Sequence, residues 1–132
     1  METINYECYV SFEIAKLLKK AGFNWEVKSY RKGLNGIFET TSIPNNFNDG
    51  TLTDWLSSPT IDVAQRWLRE IKKIHIEITF GNKWIYTLYN LTNLECLLSE
   101  NEFPKTRNYN TYEEAQEAGI KKAIEIILEK GE

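Results

Sequence analysis

Ile74-His75-Ile76-Glu77-Ile78-Thr79-Phe80-Gly81-Asn82-Lys83-Trp84-Ile85-Tyr86-Thr87-Leu88-Tyr89 is the stretch that decides the fold class. In its first half Ile74, Ile76, Ile78 and Phe80 alternate with His75, Glu77 and Thr79. A period of two, with β-branched residues on one side, marks a strand. Gly81-Asn82 breaks the pattern, and a two-residue turn led by glycine predicts a tight hairpin. From Lys83 to Tyr89 the chain returns, with Trp84, Tyr86 and Leu88 on one side and Ile85, Thr87 and Tyr89 on the other. Large apolar groups on both sides of the second strand imply a helix over one face and a loop or partner over the other. A hairpin is antiparallel, so a purely parallel sheet is excluded.

Helical signals lie on either side of the hairpin. Upstream, Ile61, Ala64, Trp67, Leu68 and Ile71 recur at helical spacing. That helix starts within Ser58-Pro59-Thr60, where either Ser58 caps it with Pro59 in the first turn or Thr60 does. Downstream, Thr111 and Glu114 form a capping box ahead of the stripe Ile120, Ala123, Ile124, Ile127 and Leu128. Nearer the start of the chain, Ser11 caps a helix carrying Ile14, Leu17, Leu18 and Ala21, and Gly22 ends it. Between the first two helices, the alternation of Phe23, Trp25 and Val27 predicts a strand, Ile37 to Thr41 a second, and Ser42 to Gly50 a loop. The predicted order is α, β, β, α, β, β, α. It describes an α+β fold with a small antiparallel sheet of three to four strands, including the 74–89 hairpin. Three helices pack mainly on one face, in a single domain spanning 1–132.

Bulk composition narrows the function classes. With 42% hydrophobic and 27% charged residues the chain is globular rather than disordered. Its 16 Lys+Arg against 19 Asp+Glu give −3 and leave no polybasic tail, so the electrostatic footprint of a duplex nucleic-acid binder is missing. Cys8 and Cys96 match no zinc or redox spacing and are expected as free thiols. The opening residues lack the basic and apolar regions of a signal peptide, and no apolar run reaches membrane-span length. The expectation is a cytoplasmic protein with no membrane partner. Four Trp, seven Tyr and six Phe leave two accounts open, a ring-rich core or a concave surface where some rings face a ligand.

Three blocks carry a resemblance. They are Val10-Ser11-Phe12-Glu13-Ile14-Ala15-Lys16-Leu17-Leu18-Lys19-Lys20-Ala21-Gly22-Phe23; then Pro59-Thr60-Ile61-Asp62-Val63-Ala64-Gln65-Arg66-Trp67-Leu68-Arg69-Glu70 with Ile74-His75-Ile76-Glu77; then Tyr112-Glu113-Glu114-Ala115 with Glu117-Ala118-Gly119-Ile120. In this order they resemble a family of small uncharacterised proteins encoded by phages and prophages of gut Bacteroidota. The blocks cover under half of the chain, and the resemblance transfers no catalytic or ligand-binding residue. What it implies is a setting in which small accessory proteins act on host machinery or host defences, often by binding rather than catalysis.

The constellations with chemical potential are few. His75 and Glu77 share one strand face, but His75 is the sole histidine, and a solvated face accounts for the pair better than acid–base or metal chemistry. Cys96 with His75 would pair a nucleophile and a base, yet Leu94, Leu97 and Leu98 around Cys96 point to a buried, inert thiol. Gly33-Leu34-Asn35-Gly36 lacks the spacing of a phosphate loop and reads as a turn. Lys28, Tyr30, Arg31, Lys32 and Asn35 form a basic, aromatic stretch to which Arg66 and Arg69 could add charge. Cations hold phosphate and rings stack on a base, so the stretch suits a nucleotide and equally a single strand.

The expectation from sequence is a non-enzymatic binding protein with no catalytic residue, metal or cofactor. It sequesters a small anionic, nucleotide-type signalling ligand through Lys28, Tyr30, Arg31, Arg66, Trp84 and Tyr86. Homo-oligomerisation would help, because a two-fold interface doubles the contacts of a small domain. Three other readings stay open. One is an inhibitor or adaptor of a host protein that presents Trp25, Trp55 or Tyr89; another is a nucleotide-acting enzyme that uses Glu77 and His75; the last is a binder of single-stranded nucleic acid, whose binding would depend strongly on salt.

Overall fold

A computed structural model of the protein describes residues 8–50, 54–98 and 104–130. The fold is α+β, with three helices and two small antiparallel sheets among the described residues. In chain order the elements are α1 (Phe12–Ala21), β1 (Val27–Lys32), β2 (Ile37–Asn45), β3 (Trp55–Ser57), α2 (Ile61–Glu70), β4 (Ile74–Phe80), β5 (Trp84–Asn90) and α3 (Tyr112–Glu129). One sheet has the order β2-β1-β3 and the other is the β4-β5 hairpin, so the strands expected in one sheet are shared between two. The chain divides into two compact units, Met1–Val63 and Ala64–Glu132, and the division falls inside α2.

In the first unit, α1 begins where the Ser11 hydroxyl accepts from the Ile14 N–H at 3.2 Å. It ends at Gly22, whose φ of 97° lets its N–H reach back to the last carbonyls. The next N–H, of Phe23, is also taken by the Leu18 carbonyl, at 2.9 Å. Phe23 therefore closes the helix and is buried there, and the strand expected from Phe23 onward starts only at Val27. Beyond the Gly33–Gly36 turn, β2 runs on to Asn45, through four residues expected as loop. The short strand β3 was not predicted, because three residues are too few to show a period. The Phe12 ring packs flat against Gly36, at φ 64°; a methyl group there would lie 2.6 Å from the ring.

Thr60, not Ser58, caps α2: its hydroxyl accepts from the Val63 N–H at 3.2 Å. Ile61, Ala64, Trp67 and Leu68 are buried as the stripe requires, but Ile71 is 52% exposed because the helix has ended at Glu70.

In the second unit the hairpin pairs without a break from Ile74↔Asn90 to Phe80↔Trp84. That register leaves Gly81, Asn82 and Lys83 in the loop, three residues rather than two, with the Gly81 N–H on the Lys83 carbonyl at 3.0 Å. The capping box at Thr111 and Glu114 is formed, and α3 lays Ala115, Gly119, Ile120, Ala123 and Ile124 inward. Ile74, Ile76, Tyr86 and Leu88 are the buried residues of the hairpin. Gln65 links the elements by donating to the Ile76 carbonyl at 3.0 Å and accepting from Gln116 at 2.7 Å. The free edge of β5 is covered by loop backbone: Leu97 donates to Leu88, and Trp84 and Tyr109 exchange bonds in both directions.

Candidate functional site

The site is built on one face of β1. Along that strand Val27 and Ser29 are buried while Lys28 is exposed and Tyr30 half-buried. Period-two geometry puts Lys28, Tyr30 and Lys32 on one face and Ser29 and Arg31 on the other. Residues directly opposite in an antiparallel pair share a face. Tyr30 faces Glu39 of β2 and Ser57 of β3, and Lys32 faces Trp55. The buried Ser57 hydroxyl accepts from the Phe47 N–H at 3.0 Å, and the Ser57 N–H donates to Asn48 Oδ1 at 3.0 Å. These two bonds bring the turn after β2 back over the sheet and seat Phe47 beside Tyr30.

Three near-parallel rings result. Tyr30 stacks on Trp55 with centroids 4.7 Å apart and planes 5° apart, and on Phe47 at 4.5 Å and 27°. Phe47 and Trp55 are themselves 5.7 Å apart. The wall beside them comes from an irregularity in the ladder. Val27 pairs with Asn45 and Ser29 with Thr40, so Thr41, Ser42, Ile43 and Pro44 stand against the single residue Lys28. Together they enclose an open hollow of about 250 Å³ lined by Tyr30, Thr41, Ile43, Pro44, Asn45, Phe47 and Trp55. It is about the size of one ring system, and Thr41 and Asn45 are the polar residues that line it beside the rings.

Charge is arranged around the rings. The Tyr30 hydroxyl donates to Glu39 Oε1 at 2.6 Å, and Lys32 Nζ lies 3.4 Å from the same oxygen and 5.9 Å from the Trp55 ring centroid. The hydrogen bond from Tyr30, and after it Lys32, hold the Glu39 carboxyl below the usual range. The same bond, with some burial, pushes the Tyr30 phenol up. Lys28 is exposed and, among the described residues, has no hydrogen-bond or ion-pair partner.

The six residues expected at a site take different positions. Lys28 and Tyr30 share the cradle face. Arg31 is turned to the opposite face, where it donates to Gly36 O at 3.1 Å, Val10 O at 3.3 Å and Ser58 Oγ at 3.3 Å. It acts there as a clamp on the first unit's own backbone. Arg66 is on the exposed side of α2, 2.7 Å from Glu70. Trp84 sits at the hairpin end between Phe80, at 5.0 Å, and Tyr112, edge-on at 5.4 Å. Tyr86 is 5% exposed and belongs to the core of the second unit. Sequence reasoning did not assign Glu39, Phe47, the bulge or the aromatic role of Trp55 to a shared site. The one available signal was the period of two starting at Lys28, which separates Lys32 from Arg31.

The other constellations are simple to place. His75 pairs across the hairpin with Tyr89, and Tyr89 in turn bridges to Cys96, so Tyr89 stands between the histidine and the thiol. The Tyr89 phenol is raised by burial first and by the charge of Glu77 second. Cys96 is exposed, contrary to the expectation drawn from its leucine neighbours: Leu98 turns inward while Leu94 is 78% exposed. Both cysteines are free thiols. Among the described residues no group of three or more His, Cys, Asp or Glu could hold a metal, and no helix is long and apolar enough to cross a membrane. Compared with known protein families, curated proteins and solved structures, the chain matches none.

Proposed function

We propose that the protein is a non-enzymatic binding protein, and that its site is the cradle formed by Tyr30, Phe47 and Trp55 in the first unit. The ligand is a small, ring-bearing anion of nucleotide type. The observation that carries this reading is the combination of two stacked, half-exposed rings, Tyr30 and Trp55, backed by the buried Phe47, with a hollow sized for one ring system and lysines on both sides of Tyr30. A base stacks on such a platform and a phosphate meets a cation beside it. The phage setting implied by the resemblance fits sequestration of a signalling nucleotide, a role that needs affinity and no turnover.

Thermal melts against mononucleotides, cyclic di- and trinucleotides and ADP-ribose derivatives test the proposal. A ligand at a hundred times its dissociation constant adds about 2.7 kcal/mol, an upward shift on the order of 10 °C. Trp55→Ala is expected to weaken binding by about 10–100-fold, the worth of one stacked base. A consumed compound would point to an enzyme, and no shift with any compound would overturn the small-ligand reading.

A second reading is favoured by one observation. Leu34, Ile37 and Ile43 are 99%, 57% and 72% exposed, on β2 and the turn before it. Exposed apolar groups along β2 and its turn, with Ile43 lining the hollow itself, suit an inhibitor or adaptor that seats a host protein's side chain there. Capture of a protein partner that Trp55→Ala abolishes, with no nucleotide shift, would establish it.

A further inference from the structure

We propose that Glu39 sets the charge the cradle accepts, restricting it to ring-bearing ligands with a single negative charge, which Lys28 meets. The inference rests on the cradle reading and adds the ligand's charge to it. Along β1 and β2, among the described residues, Lys28, Lys32 and Glu39 share the face of the rings; Lys19 reaches Trp55 from α1, where its Nζ donates to the Trp55 carbonyl at 3.4 Å. Lys32 is already engaged, 3.4 Å from Glu39 Oε1, and that same oxygen is fixed by the Tyr30 hydroxyl at 2.6 Å. An exposed pair of this kind contributes little to stability, but the Glu39 carboxylate offsets much of the Lys32 charge felt by a ligand lying on the rings. The carboxylate cannot turn away without breaking the bond to Tyr30, a ring of the platform itself.

Lys28 is left as the uncompensated charge. It lies four residues from Lys32 along an extended strand, about 13 Å away, on the far side of Tyr30. A ring stacked on Tyr30 and Trp55 thus has a free cation at one end and a largely offset one at the other. One negative charge balances Lys28. A second finds no further unpaired cation among the described residues of the β1–β2 face and meets Glu39 there instead.

Titration calorimetry of the full chain at about pH 8 tests this with adenosine, 3′,5′-cyclic AMP (one negative charge) and 5′-AMP (two). The wild-type protein is expected to bind cyclic AMP most tightly. Lys28→Ala should cut the advantage of cyclic AMP over adenosine by on the order of fivefold, the worth of one partly exposed charge contact. Glu39→Gln keeps an acceptor for Tyr30 and releases Lys32. It should strengthen 5′-AMP by about tenfold and cyclic AMP by only about threefold, inverting their order, with adenosine unchanged. Melting curves of the two variants check that both fold. If the three compounds bind but Glu39→Gln shifts both nucleotides alike, or Lys28→Ala leaves the advantage intact, the charge rule is wrong while the cradle stands. If none of the three binds the wild-type protein, the cradle reading fails and the rule with it.

Discussion

At Gly119 helix α3 meets the hairpin with no side chain between them. A methyl group there would lie 2.8 Å from Ile76 Cγ2 and 3.3 Å from Tyr86 Cβ. Alanine is the better helix former by about 1 kcal/mol, yet overpacking at such a contact costs about 1–3 kcal/mol. Gly119→Ala is therefore expected to lower stability by up to about 2 kcal/mol, seen as a lower urea midpoint with an unchanged slope. A stabilised variant would mean that α3 can lift off the strands freely. Nothing in the sequence marked Gly119, because its reason is a contact with residues more than 30 positions away. Tyr30 and Arg31 show the same limit. They are neighbours in a run of polar residues with no hydropathic contrast, so the run does not itself say which side of the strand is core. Pairing with β2 and β3 decides it, placing Tyr30 in the cradle and Arg31 on Val10, Gly36 and Ser58.

Elements with local causes were legible. The caps at Ser11, Thr60 and Thr111 each join groups three residues apart, and a sequence displays that spacing directly. Thr111→Ala removes the acceptor for the Glu114 N–H and is expected to cost about 1 kcal/mol of unfolding free energy in urea. A loss near zero would mean that Glu114 alone holds the first turn. The hairpin was legible because hydrophobic alternation marks its first strand and Gly81-Asn82 marks the turn, with a β-branched and aromatic run returning after it. Less legible were β3, held by only three pairs to β1, and the end of β2, where Ser42 to Pro44 carry the composition of a loop and the backbone of a strand. The cradle is made from those two pieces, so the fold class could be read from sequence while most of the candidate site could not.

For the whole molecule, two carboxyls pull the acid dependence of stability in opposite directions. Burial alone raises the Glu117 carboxyl. Its contribution is complete below its unfolded value, where it is neutral in both states, and is lost as pH rises through the raised folded value. At neutral pH the buried charge is a cost. Glu117→Gln should then melt higher at pH 7, by on the order of 1–3 °C after allowance for solvent screening, with the gain gone by about pH 4. A gain that persists in acid would trace to packing instead. Glu39 works the other way: lowered by Tyr30 and Lys32, it contributes above its unfolded value and loses that contribution as pH falls through the folded one. Glu39 and Glu117 thus oppose each other as the pH falls.

The four residues that stand against Lys28 give the protein slack. Elsewhere in the first sheet, inserting or deleting one residue would throw every later side chain to the wrong face. Within Thr41–Pro44 the count is already uncoupled from the partner strand, so the wall of the hollow can lengthen or shorten while the Tyr30–Glu39 and Lys32–Trp55 registers stay fixed. Related chains that meet different guests would then differ in length at this point, and a designer wishing to resize the hollow would edit here first.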